Sequence, residues 1–213
     1  MNPILLINPN TSQATTQMMV GIARSSLDGR AAIRGLTMEA GVPMIVGEED
    51  LRAAADAVGA LDVANCCGVI VAAFGDPGAE ALRRRLTVPV VGIGEAAMRE
   101  AAQHGSFGIA TTTPALGASI ASKVRQSGLE DRFTGTRFTT GDPLLLGQDP
   151  EALEAALAAA VQSCIEADGA QAVVIGGGPL GRAAEALSRR FAIPVIGPVP
   201  AACRAILRAL DGR

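Results

Sequence analysis

Leu86-Thr87-Val88-Pro89-Val90-Val91-Gly92 and Phe191-Ala192-Ile193-Pro194-Val195-Ile196-Gly197 are one phrase written twice, and that repetition decides the fold. Two further pairs keep the same order. Ala79-Glu80-Ala81-Leu82 returns as Ala184-Glu185-Ala186-Leu187, and Gly41-Val42-Pro43 followed by Gly47 returns as Gly141-Asp142-Pro143 followed by Gly147. The offset drifts from 100 to 105 residues, as small loop insertions would make it. A unit of about 100 residues is therefore duplicated within the chain.

Outward from these phrases, strand-like and helix-like segments alternate. Short apolar runs predict strands at Ile4–Ile7, Gly68–Ala73, Val88–Gly92, Phe107–Ala110, Ala172–Ile175 and Pro194–Ile196, with further strands at Ala31–Met38 and Arg137–Thr139. Helical periodicity covers Gln13–Leu27, Glu48–Leu61, Pro77–Leu86, Glu95–Gln103, a stretch ending at Ser127, Pro150–Asp168, Leu180–Phe191 and Ala201–Leu210. Gly41–Gly47 reads as a loop, and so does its counterpart. The expected fold is α/β, with two duplicated halves, each a parallel sheet flanked by helices, and a cleft between them. The first lobe is expected over 1–97 and the second over 98–200, with the C-terminal helix (201–213) packing back on the first.

Composition narrows the function. Hydrophobic residues make up 49% of the 213, but aromatics only 2%, with no Trp or Tyr. The apolar mass is Ala, Val, Leu and Ile, the usual filling of parallel sheets buried between helices. The net charge is −3 and no basic stripe is visible, so a nucleic-acid partner lacks both the cations and the stacking faces it needs. No apolar run is long enough to span a bilayer, and Met1-Asn2-Pro3 puts no basic segment ahead of the first apolar run, so no signal peptide is read. Cys66, Cys67, Cys164 and Cys203 show neither metal-ligand spacing nor a disulfide framework, which predicts a reducing cytoplasm and no metal. The partner left is a small-molecule substrate. No exposed seam is legible, so a homo-oligomer stays open.

In open parallel sheets, ligands sit beyond the carboxyl ends of the strands, where helix amino termini converge. Asn8-Pro9-Asn10-Thr11-Ser12 and Thr111-Thr112-Thr113-Pro114 follow the first strands of the two halves. Phe74-Gly75-Asp76-Pro77-Gly78 and Gly176-Gly177-Gly178-Pro179 follow the third. Asn10, Thr11, Ser12, Thr111, Thr112 and Thr113 offer polar groups to a small ligand, although helix capping alone would also account for such side chains. Gly176, Gly177 and Gly178 permit close backbone approach to a ligand, and Phe74, Gly75, Gly178 and Pro179 are expected among the substrate contacts. Asp76 before Pro77 reads as an N-cap followed by a proline at the first helical position. Neither the dinucleotide fingerprint nor a phosphate-binding loop is met.

These loops, together with Pro89-Val90-Val91-Gly92-Ile93-Gly94-Glu95-Ala96, resemble the hydantoin racemase branch of the aspartate/glutamate racemase superfamily over nearly the whole chain. The resemblance implies cofactor-independent inversion at a small carbon acid: a hydantoin, an amino acid or a related carboxylate. One cysteine from each half would flank the reacting carbon, one thiolate removing a proton while the opposite thiol delivers one. This sequence breaks the pattern. Ala73 and Gly177 stand at the two cysteine positions, and neither can carry a proton. Loss of a positioned acid or base costs about 10²–10⁴ in rate.

Substitutes are few. Cys66 and Cys67 precede the third strand and belong to its far end. Cys164 and Cys203 read as packing residues. His104 complements a helix end facing away from the cleft. Asp76 and Glu95 remain as acid/base candidates, since both follow strand ends on the cleft side. Arg83-Arg84-Arg85 and Arg189-Arg190 are solvated helix faces. Two alternatives stand beside the racemase reading: a non-catalytic binder of small carboxylates or ureides, which Ala73 and Gly177 favour, and a decarboxylase-type lyase on the same scaffold.

Overall fold

The computed structural model describes residues 2–212. Met1 and Arg213, at the outer ends of the expected first lobe and last helix, lie outside the described residues. The first half runs β1 (Ile4–Asn8), α1 (Gln13–Leu27), β2 (Ile33–Thr37), α2 (Glu48–Ala60), β3 (Gly68–Val71), α3 (Ala79–Arg85), β4 (Val90–Gly92) and α4 (Ile93–Ala101). The second runs β5 (Phe107–Thr111), α5 (Gly117–Gln126), β6 (Phe133–Phe138), α6 (Pro143–Leu146), α7 (Pro150–Glu166), β7 (Ala172–Ile175), α8 (Gly181–Leu187), β8 (Val195–Ile196) and α9 (Pro198–Asp211). The sheets have orders β2-β1-β3-β4 and β6-β5-β7-β8, every pairing parallel. The repeat in the sequence is thus a repeat in topology.

The central strands explain their own composition. Every residue of β1, β3, β5 and β7 is buried, because helices cover both sheet faces and no solvent side exists on which polar residues could alternate. Leu5, Ile7, Val69 and Val71 pack outward under α2 and α3, and Val173 and Ile175 under α7 and α8. Ile4, Leu6, Ile70, Phe107, Ile109 and Val174 point inward into one core shared by both halves.

That shared core has an unexpected source. Each half sends its last helix across to the other: α4 packs over β7 and β8, α9 over β3 and β4, and the two helices pack on each other. The boundary expected between 97 and 98 falls inside α4. α9 starts at Pro198, earlier than the expected 201, and rests on α1 and the first sheet.

Two other expectations need correction. β6 begins at Phe133, four residues before the expected start, because its Thr-Gly-Thr stretch is a partly exposed edge strand without an apolar run. The loop after it contains α6, whose N-cap Asp142 accepts from Leu144 N and Leu145 N at 2.8 and 3.1 Å, with Pro143 opening the turn.

Candidate active site

The carboxyl ends of both sheets face a cavity of about 60 Å³ between the halves. Ala73, Phe74 and Gly75 line it from the first half, and Gly176, Gly177, Gly178 and Pro179 from the second. Asn10, Thr112 and Thr113 come from the loops after β1 and β5. Of the expected ligand contacts, Thr11, Ser12 and Thr111 do not line it. Ser12 caps α1 by accepting from Thr15 N at 3.2 Å, and Thr11 N donates to Val42 O. Thr111 is fully buried behind the wall, its hydroxyl donating to Gly176 O at 2.6 Å.

One face of α5 supplies Ser119, Ile120 and Lys123, with Leu116 a turn earlier, at helical spacings of three and four. Met44 and Ile45, in the loop before α2, and Leu51 close the apolar side. Gly178 is buried where a Cβ would lie 2.7 Å from both Ala72 O and Met19 Sδ, so only glycine brings this loop so close to β3.

Several hydrogen-bond donors of the wall are unengaged. Asn10 Oδ1 is engaged by Asn8 Nδ2 at 2.8 Å and Ser12 N at 3.0 Å, while its Nδ2 has no acceptor among the described residues. The same holds for the backbone amides of Thr112, Thr113 and Gly178 and for both threonine hydroxyls, all in buried residues. Buried amides without acceptors are uncommon in folded proteins, and here they border a cavity.

Asp76 and Glu95 are not on that wall. Asp76 has φ 49°, in the left-handed region, and does not cap α3; Gly78 does. Its carboxylate instead caps α4, accepting from Gly94 N at 2.7 Å and Glu95 N at 2.8 Å, and pairs with Lys123 Nζ at 3.0 Å. Burial pushes the Asp76 carboxyl up from its ordinary value, against the opposing pull of Lys123 and the two amides. Glu95 is held by Arg83 at 2.8 Å and Arg99 at 2.9 Å. Burial alone would raise it, but those hydrogen bonds and charges hold it below the usual carboxylate value.

None of the four cysteines lines the cavity. Burial pushes Cys164 up to about 11 and Cys203 to about 12, so both remain thiols in the core. Cys66 and Cys67 sit at the amino end of β3. Among the described residues no cluster of three His, Cys, Asp or Glu could hold a metal, and no helix is long and apolar enough to cross a membrane.

The residue that motif reading missed is Lys123. It lies in no motif, but the sequence carried a plain signal: it is the chain's only lysine.

The family model described as Asp/Glu/Hydantoin racemase matches residues 4–206. The chain belongs to this family. A hydantoin racemase from Paenarthrobacter aurescens is 30% identical over 207 residues, covering 94% of this chain and 88% of the relative. Among solved structures, allantoin racemase from Pseudomonas fluorescens superposes with a TM-score of 0.91 at 29% identity, covering 98% of this chain and 91% of that one. Allantoin racemase from Klebsiella pneumoniae gives 0.87 at 30%, covering 99% and 88%. The resemblance read from the loop motifs therefore holds for the racemase family and its duplicated α/β fold, and the racemase reading is favoured over a bare binder or a decarboxylase.

Proposed function

We propose that this family member racemises a small, uncharged carbon acid built on the hydantoin ring, without a cofactor, in the cavity between Ala73 and Gly177. The observation that carries the reading is the wall's chemistry. Among the described residues no carboxylate lines the cavity, and the one cation on its wall is already neutralised by Asp76. An amino acid would bring an ammonium with no acidic partner, and a dicarboxylate would bring charge that a single paired lysine cannot balance. A hydantoin brings two carbonyls, which suit unused donors on Asn10, Thr112, Thr113 and Gly178. The same donors would stabilise the enolate oxygen that forms when the ring C5 proton leaves. The relatives named for hydantoin and allantoin support the same ring. Four free cysteines suit a reducing compartment, and we include the cytoplasm in the proposal.

The test is loss of optical activity. Enantiopure 5-methylhydantoin, L-aspartate and L-glutamate are incubated separately with the protein and followed by circular dichroism against protein-free controls. The reading expects accelerated decay for the hydantoin alone. Decay for an amino acid and not for the hydantoin would reverse the assignment of substrate, and decay for none would remove the activity.

A further inference from the structure

Of the eighteen lysine and arginine residues, seventeen are arginines and the one lysine stands on the cavity wall. Arginines serve the surface: Arg30, Arg84, Arg99, Arg137 and Arg204 all form ion pairs with exposed side chains. The chemical difference between the two cations is that a guanidinium stays protonated, whereas an amine can release and recover a proton. Lys123 is also held in an unusual way. Its side chain is 17% exposed, and it reaches from α5 of the second half to Asp76 of the first, whose side chain is fully buried. An ammonium has three donors. Among the described residues only Asp76 Oδ2 accepts from it, and the Lys123 side chain lines the cavity.

We propose that Lys123 is the proton-transfer residue of this site, acting from the first-half wall where Ala73 has no side chain to act. The inference rests on the racemase reading above. Asp76 N donates to Ala73 O at 2.9 Å, so the carboxylate that holds Nζ belongs to the turn that Ala73 opens. Asp76 is the positioning residue and the proton store. One Nζ proton passes to Oδ2 across 3.0 Å, converting an ion pair with one fully buried member into a neutral amine and a carboxylic acid. The amine lone pair then takes the ring C5 proton. The C–H bond breaks, its electron pair moves onto the neighbouring carbonyl as an enolate, and an N–H bond forms. Return of a proton from Lys123 restores the starting configuration. Return from a water on the Gly177 side gives inversion, and the hydroxide left there recovers the proton held by the Lys123–Asp76 pair. Solvent hydrogen should therefore enter C5 faster than the configuration inverts.

Lys123→Arg and Lys123→Met separate proton transfer from charge. Exchange of the C5 proton of 5-methylhydantoin in D₂O is followed by NMR, with affinity from calorimetry and folding from Tm. Both variants are expected to lose exchange by about 100-fold or more, with affinity changed by less than about threefold. Arginine is the deciding variant, because it keeps a cation beside Asp76 and so keeps the fold. Exchange at the wild-type rate in Lys123→Arg would show that charge suffices and would overturn the proposal. So would loss of binding in proportion to loss of exchange, which makes Lys123 an anchor. A wild-type protein that leaves the C5 proton in place removes the racemase reading and this inference together, whereas exchange surviving in the arginine variant removes only the role of Lys123.

Discussion

Asp76 is the residue whose surroundings decide most. In sequence it is an acid before a proline, which reads as a cap for the following helix. In space it turns back through a left-handed backbone to cap α4 and hold Lys123. Both partners are far along the chain, and for that reason no local pattern announced the role. Removing it leaves Lys123 and two helix amides without an acceptor, so Asp76→Ala should lose about 3 kcal/mol of stability in urea unfolding. Glu95→Gln, which loosens pairs to partly exposed arginines, should lose under about 1 kcal/mol. The pH dependence has a definite sign. Because burial raises the Asp76 carboxyl in the folded protein, the folded state binds that proton more tightly than the unfolded one. Stability from this group is therefore greatest at acid pH and declines as pH rises from the ordinary carboxylate value through the raised one. Unfolding midpoints of the wild type and Asp76→Asn across that range should show this slope only in the wild type.

Among the elements, the loop after β7 and the helix α5 shape the cavity. A Cβ on Gly178 would meet the backbone oxygen of Ala72, which cannot retreat without disturbing β3, so Gly178→Ala should cost about 1–3 kcal/mol and weaken hydantoin binding. Gly177 differs. Its added Cβ would lie 3.0 Å from Leu180 Cγ, a side-chain neighbour able to shift slightly. If Ala73 and Gly177 flank the reacting carbon, Ala73→Cys with Gly177→Cys supplies an acid and a base on opposite faces, and racemisation should rise by about 100-fold. A folded double variant no faster than wild type would mean that these positions do not flank it. The element scale is also where sequence reading was strongest and weakest. Buried strands such as β1, β3, β5 and β7 declare themselves as apolar runs. β6 has no such run, and α6 is a single turn inside what composition marks as a loop.

On the scale of the whole molecule, the duplication was legible because two copies of a phrase survive in order. The exchange of α4 and α9 was not, since an amphipathic helix shows that it has an apolar face without showing which sheet will cover it. That exchange makes the halves dependent on each other. A fragment of residues 1–97 lacks α9, leaves its inner core exposed, and should show no cooperative thermal transition by circular dichroism. The loops of the site were readable from their places after strands, whereas the cation was marked only as the lone lysine, with no pattern to place it, because its partner Asp76 lies in the other half. The most direct measurement of the central claim is a crystal structure with 5-methylhydantoin bound. The account predicts the ring in the shared cavity, its C5 between Ala73 and Gly177 and within about 3.5 Å of Lys123 Nζ, at near-attack distance. A ring bound elsewhere, or in the cavity with C5 turned away from Lys123, would contradict it.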